Sequence, residues 1–378
     1  MNIMFLIFSF NVGGIERLLI DMADNMAKRG NNITLCVIND DYDSEFIKHI
    51  SPDVDVVMLG RAMGSKSSFK YMLSLAGVIK RKKIDVLHCQ GINCVIFSFL
   101  AKILNPTIKI INTVHDVGNY PSYSNLKIAV QNLILDKTIA ISNIVEEEIL
   151  KRIKDRNKVK TIYNAVDLGR FTLRNGIFDP DNVMLCNVAR FFPDKKGQDL
   201  LVKAVSAYKE LTGCGDISDR GVASDIRCDF AGAVFKGQET AYEQLQDFVA
   251  ANGLESNICF LGNVEDIPGF LREHDIFVLP SRYEGFGIAL IESLACGLPV
   301  IASNIDGPKE IFELAREDSV DIGFLAECGD AGDLAAKIWD CVSGYDKYDK
   351  LKMREFVERH FSIDHMVDEH LNLYSSLL

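Results

Sequence analysis

Nowhere in its 378 residues does the chain hold the run of ~20 apolar residues that a membrane-spanning helix needs. The longest candidate, residues 92–104, is interrupted by Asn93, Ser98 and Lys102. The apolar stretch at residues 3–10 is short, has no basic segment before it and runs straight into Asn11-Val12-Gly13-Gly14, so it reads as a strand and not a secretory leader. There is no Cys-x-x-Cys pair and no Cys/His cluster with zinc spacing, so the ten cysteines are expected to be reduced and mostly buried. Positive charge is not in excess: 41 Lys and Arg against 53 Asp and Glu leave a net charge of −12, which argues against a surface built to hold nucleic acid. With 9 Pro, 27 Gly and 25% charged residues the composition excludes the collagenous, low-complexity and disordered classes. A folded, cytoplasmic, soluble or peripheral protein is expected, and its length favours two domains.

What is present is an alternation of short apolar runs with amphipathic stretches, the pattern of βαβ units and parallel sheets. Strands are expected at residues 2–8, 33–38, 54–59, 86–88, 109–114, 137–141 and 159–162. Helices fall between them at 15–29, 67–81, 92–104, 124–135 and 143–153. A second series begins with strand 183–188 and continues with strands 228–231, 258–261, 276–279, 300–302 and 323–325. Its helices lie near 197–211, 238–252, 266–273, 287–296, 307–315, 330–343 and 347–360. Residues 165–182, crowded with Gly, Asp, Asn and Pro, read as a linker, and 213–227 as a solvated surface loop. The two halves differ in charge: residues 1–170 carry 22 Lys and Arg against 17 Asp and Glu, residues 171–378 carry 19 against 36.

Ligands of open α/β sheets bind beyond the carboxyl ends of strands, so residues just after strands are the candidates for chemistry. Gly13-Gly14 follows the first strand and opens a helix, where backbone could approach a phosphate; a plain βα turn would also use such a pair. Ile15, Glu16 and Arg17 come next, so the dinucleotide fingerprint is missing and an NAD oxidoreductase is disfavoured. Ser281 to Glu292 follows the strand at 276–279. Glu284 precedes a glycine-bracketed helix start, and Glu292 lies eight residues on, about two turns along the helix. Both carboxylates could address one ligand while the amides of Gly285, Phe286, Gly287 and Ile288 face its anionic part; an exposed helix residue and a partner of the helix dipole are the plainer roles. Asp41-Tyr42-Asp43 and Asp53-Val54-Asp55 spell D-x-D, a metal-binding pattern, but read better as surface charges. His360, His365 and His370 are spaced by five, which turns successive side chains by about 140° on a helix, so they form no ligand face.

The segment from Glu284 to Glu292 resembles the E-x7-E motif of family 4 retaining glycosyltransferases of GT-B fold. The resemblance extends over nearly the whole chain. Gly13-Gly14-Ile15-Glu16-Arg17 is similar to that family's G-G-x-E-R start, and Ile162-Tyr163-Asn164-Ala165-Val166-Asp167 with Phe171 to its I-x-N-G-V-D strand and linker. Arg190 through Lys196-Gly197 resembles G-R...K-G, Phe260-Leu261-Gly262 its F-L-G turn, and residues 295–302 its A-x-G-x-P-V-I-A stretch. Three departures stand out: Ala189 in place of a glycine, Asp306-Gly307 in place of Gly-Gly, and Ala231-Gly232-Ala233 without the G-x-G-P turn.

The resemblance implies two Rossmann-like domains facing an interdomain cleft: an acceptor-side domain over 1–168, a nucleotide-sugar-binding domain over 169–360, and a C-terminal helix over 361–378 packing back on the first. It implies that Arg190 and Lys196 hold the diphosphate, with Lys195 a rival for the second role. Glu284 would hold donor-sugar hydroxyls, Glu292 the ribose, and Asn263 and Val264 would border the base. His115 is similar to the family histidine near the donor sugar, although a packed or capping histidine is the alternative. His88 either lines the acceptor side or is structural. The implied reaction is retaining, metal-independent transfer of a hexose or N-acetylhexosamine with no cofactor, from a UDP-sugar in preference to a GDP-sugar. The implied acceptor is a saccharide or lipid-linked intermediate of surface polysaccharide or lipopolysaccharide synthesis. Arg61, Lys66, Lys70, Lys80, Arg81, Lys82, Lys83, Lys102, Lys109 and Lys127 would meet anionic lipid, or are scattered solvated charges. A sugar-nucleotide epimerase on the same architecture and a non-catalytic nucleotide-sugar binder are the alternatives; the intact charged set argues against the binder.

Overall fold

A computed structural model describes residues 1–65, 68–115, 117–153, 155–213 and 226–378. Lys66, Asp116, Cys214 and most of the expected loop at 213–227 lie outside the described residues. The chain forms two compact units: Met1–Ala165 together with Ser362–Leu378, and Val166–Phe361. These limits differ by one to three residues from those expected at 168 and 360. The stretch after Ala165 is held by the second unit: Val166 N–H donates to the Phe361 carbonyl at 2.8 Å, and the Arg354 guanidinium donates to Leu168 O at 2.8 Å. The expected linker is strapped down further along by a buried ion pair, Arg174 to Asp275 at 2.5 Å.

The first unit is built on a parallel sheet of seven strands: β1 (Asn2–Ile7), β2 (Asn32–Asn39), β3 (Val54–Arg61), β4 (Val86–Gln90), β5 (Lys109–Val114), β6 (Lys137–Ala140) and β7 (Val159–Thr161). Their order is β3-β2-β1-β4-β5-β6-β7, so the connections reverse direction between β1 and β4. Central strands such as β1, β4 and β5 are buried on both faces, which explains why they read as unbroken apolar runs. On one face, Leu75, Ile79, Val95, Phe97, Ala101 and Ile134 from the helices Ser68–Lys82, Ile92–Phe97, Phe99–Leu104 and Asn125–Ile134 cover Met4, Leu6, Leu87 and Ile110. The stretch 92–104 is two helices, not one. They meet at Ser98, whose hydroxyl donates to the Val95 carbonyl at 2.7 Å and competes with the helix ladder.

The helix Gly14–Lys28 packs against the C-terminal helix Ile363–Leu377. Ser362 caps the latter by accepting from His365 N–H, and Ile363, Met366, Val367, His370 and Tyr374 form its buried stripe. The cap also divides the three late histidines: His360 ends the helix Lys350–Phe361 of the second unit, while His365 and His370 belong to the first.

The second unit repeats the design with six parallel strands: β8 (Val183–Val188), β9 (Ile226–Ala231), β10 (Ile258–Gly262), β11 (Ile276–Leu279), β12 (Val300–Ser303) and β13 (Gly323–Ala326). The order β10-β9-β8-β11-β12-β13 puts its reversal between β8 and β11. All nine described cysteines are free thiols, seven of them buried. Among the described residues, no helix is long and apolar enough to cross a membrane.

Candidate active site

In the second unit the candidate residues cluster where the sheet order reverses. β8 leads to Arg190 and the one-turn helix Pro193–Lys196; β11 leads to Pro280 and the Ser281–Gly287 loop. The two loops are joined through several contacts. Lys196 Nζ lies 2.7 Å from Glu284 Oε2, with 23% and 16% of the side chains exposed, so the pair is reachable from solvent without being solvated freely. The Lys195 carbonyl accepts from Arg282 N–H at 2.8 Å. The Lys196 ammonium thus meets Glu284, and the Lys195 carbonyl joins the same junction.

Three residues that motif reading missed hold these loops in place. Arg282 makes a two-pronged bond to Asp199, at 2.7 and 2.8 Å, and a further one to the Pro193 carbonyl at 2.7 Å. Gln198, almost fully buried, donates to the Arg190 carbonyl at 3.0 Å and accepts from Phe192 N–H at 3.4 Å. The sequence signal for Gln198 and Asp199 was their place directly after Lys196-Gly197. That for Arg282 was its place two residues before Glu284.

The E-x7-E segment bends at Gly287, whose φ of +105° lies in the region that favours glycine, and then enters the helix Ile288–Ala295. The first amides of that helix have no intrahelical carbonyl to pair with, which leaves donors at an anion's approach. Glu292 sits partly buried on the same helix. Asn263 and Val264 follow β10, two strands from β8 in the same sheet. The departures from the family pattern have a steric explanation. A side chain at Gly307 would come within 2.7 Å of Glu284 O and Phe286 N, so only that second glycine is required, and Asp306 is free to open its helix. Ala189 has no left-handed backbone; the glycine needed beside it is Gly232, where a Cβ would strike Ala189 O at 1.9 Å.

The first unit places its own candidates around the β1/β4 reversal. Gly13 is extended, with φ −175°, and caps the helix Gly14–Lys28 without a side chain. His115 follows β5, and its Nε2 lies 2.7 Å from Gln90 Oε1 at the end of β4. His88 is enclosed between Tyr374 Oη at 2.7 Å from Nδ1 and Thr113 Oγ1 at 2.6 Å from Nε2. Its partners are structural, and the contact with Tyr374, 286 residues away, could not be read from sequence. His88, Gln90, Thr113, His115, Asn164 and His370 share one small pocket. Three of the four carboxylates in the two D-x-D stretches are in local use: Asp43 caps the turn Ser44–Ile47, Asp41 accepts from Asn11, and Asp55 pairs with Lys82. Among the described residues, no group of three or more His, Cys, Asp or Glu is placed to hold a metal ion.

Burial pushes the His370 imidazole from an ordinary value near 6.5 down to about 4, and pushes that of His88 in the same direction, well below its ordinary value. In the unfolded chain each takes a proton below about pH 6.5, whereas folded His370 stays neutral until about 4, so stability falls as pH drops through that window. His370 alone should withdraw about 2 kcal/mol at pH 5. A melt at pH 7 and pH 5 should show a drop that shrinks by several degrees in His370→Phe. An unchanged drop would assign the acid sensitivity elsewhere.

Residues 12–170 match the family model for Glycosyltransferase Family 4, and residues 172–355 that for glycosyl transferases group 1. The chain belongs to the family 4 glycosyltransferases, and its two Rossmann-like units have the GT-B fold. It is 24% identical over 322 residues to N-acetyl-alpha-D-glucosaminyl L-malate synthase of Bacillus anthracis, covering 80% of this chain and 78% of that one. It is 24% identical over 292 residues to the UDP-Gal:alpha-D-GlcNAc-diphosphoundecaprenol alpha-1,3-galactosyltransferase of Escherichia coli, covering 73% and 70%. The crystal structure of Anabaena Alr3699/HepE in complex with UDP superposes with a TM-score of 0.78 over all of both chains, at 21% identity.

Proposed function

We propose that this glycosyltransferase moves a hexose or N-acetylhexosamine from a UDP-sugar to a saccharide or lipid-linked acceptor in surface polysaccharide synthesis, with retention at C1 and without metal or cofactor. The observation that carries the proposal is the Lys196–Glu284 pair where the second sheet reverses, beside Arg190 and a helix start. Lys196 and Arg190 take the diphosphate, offsetting the charge that grows on it as it leaves. Glu284 holds sugar hydroxyls, Glu292 the ribose, and the amides from Gly285 to Ile288 the sugar and phosphate. The C1–O bond to the diphosphate breaks while C1 bonds to the acceptor oxygen on the same face, and the acceptor's proton passes to the departing diphosphate. His115 positions the sugar and is not a nucleophile. The UDP and UDP-glucose complexes of Alr3699/HepE and the lipid-linked acceptor named for the galactosyltransferase support donor and acceptor class.

A thermal-shift series with UDP, GDP, ADP and their sugar conjugates tests the donor, since only ligands of the native state stabilise it. UDP and UDP-sugars should raise the melting temperature with EDTA present. A shift that needs a divalent cation would sink the metal-free reading. Glu292→Ala should weaken UDP binding by about 10-fold or more, while Glu284→Ala should mainly lower kcat. Equal loss of affinity in both, in folded proteins, would remove that division of labour.

We also propose that the enzyme works at the cytoplasmic membrane face, with the first unit against anionic lipid. Between Asp55 and Asp136 the sequence has ten Lys and Arg, two Asp and no Glu. The helices Ser68–Lys82, Phe99–Leu104 and Asn125–Ile134 lie side by side there, and expose Phe69, Ile103, Leu104, Leu126 and Leu133. Basic charge with protruding apolar side chains suits headgroups and the acyl boundary. The protein should co-sediment with phosphatidylglycerol vesicles at low salt, and Leu126→Glu with Leu133→Glu should abolish most of that binding. Equal binding to neutral vesicles would count against it.

A further inference from the structure

We propose that Gln90 is a positioning residue: its side-chain carbonyl holds His115 in the Nε2–H tautomer and fixes the ring's orientation at the donor-sugar site. The inference rests on the reading of His115 given above, and it adds a residue that no motif marked. Gln90 ends β4 and His115 follows β5, its neighbour in the sheet, so both backbones are anchored by a continuous ladder before the side chains meet. His115 Nε2–H donates to Gln90 Oε1 at 2.7 Å. An amide oxygen can only accept, so this bond places the proton on Nε2 and makes Nδ1 the ring's lone-pair nitrogen.

Two further observations favour a functional pairing. Among the described residues, Gln90 Nε2 is enclosed and has no hydrogen-bond partner, a cost that calls for an explanation. The neighbouring His88 has both ring nitrogens satisfied by Tyr374 and Thr113, and His370 Nδ1 is bonded to Met366 O, so of the pocket's three histidines only His115 is oriented by Gln90.

The test combines a spectroscopic reading of the free protein with kinetics. In histidine-labelled protein, two-bond 1H–15N spectra, with His115 assigned by its loss in His115→Asn, should show the Nε2–H tautomer. Gln90→Leu should lose that preference and lower kcat for UDP release from UDP-glucose or UDP-N-acetylglucosamine by about 10-fold, with donor KM within about twofold. Gln90→Glu, which retains an acceptor, should keep the tautomer and restore turnover at alkaline pH, with the titration of His115 moved upward by about one pH unit. An Nδ1–H tautomer in the wild-type protein overturns the proposal, as does Gln90→Leu with unchanged tautomer and turnover. If Gln90→Leu does not fold, Gln90→Glu decides alone: an unmoved His115 titration refutes the contact. Wild-type protein that releases no UDP from any donor would overturn the proposed function instead, and the spectra would still decide the pairing.

Discussion

Lys196→Met is expected to leave a folded enzyme whose kcat is lower by roughly 100- to 1,000-fold, the loss found when a charge stabiliser is removed from a transition state. Methionine keeps most of the aliphatic stem, so packing beside the Pro193–Lys196 turn is preserved. What disappears is the cation that pairs with Glu284 at 2.7 Å in the free protein. Glu284 is then left partly buried without its partner, which should itself cost some stability. The double variant Lys196→Met with Glu284→Gln separates the two effects: stability should return and turnover should not. Lys195→Met is the control, since Lys195 enters the junction through its carbonyl, which accepts from Arg282 N–H. If Lys196 is the lysine that serves the diphosphate, turnover of Lys195→Met should stay within about threefold of wild type. Should Lys195→Met prove the more damaging, the diphosphate role passes to Lys195.

Gly197→Ala should be among the most destabilising single changes in the second unit, by more than about 4 kcal/mol, or prevent soluble expression. A Cβ at this position would lie 1.9 Å from the Pro280 carbonyl oxygen and 2.8 Å from its carbon. Both obstacles are backbone, at the end of β11, so neither can swing aside. The φ of +69° adds a left-handed penalty of about 1 kcal/mol. Gly253→Ala isolates that smaller contribution, because Gly253 has φ +62° and nothing within 4 Å of the added carbon. Denaturant titration of the two variants should differ by several kcal/mol. Equal costs would mean that the β8 and β11 loops are not pressed together at Gly197, and the placement of Lys196 against Glu284 would lose its mechanical support.

The thirteen strands fall at the expected positions, shifted at most by a few residues at their ends. They were legible because a strand covered on both faces must be apolar throughout, and βα turns carry Gly, Asp and Asn at their edges. The carboxyl-end rule marked Gly13-Gly14 and Glu284 from their place after strands, whereas Arg190, Lys196 and His115 came from the resemblance to the family. The division of 92–104 at Ser98, and of the late histidines at Ser362, turned on single side-chain bonds that periodicity does not register.

The amino-acid order by itself determined the alternation of elements, the two-unit plan, the family and the short list of charged residues, because each is written in local pattern and spacing. Which of those residues meet was decided by tertiary structure alone. Lys196 and Glu284 are 88 residues apart, and they touch because the strand order sets β8 beside β11. Lys196 was separated from Lys195 by the turn of one short helix, which sends one ammonium toward Glu284 and offers the other residue's carbonyl to the loop. Arg282 found Asp199 across the same junction, and Gln90 found His115 across adjacent strands. Side-chain pairing between segments distant in sequence depends on strand order and register, and these follow from how the whole apolar surface is buried, not from any stretch read alone.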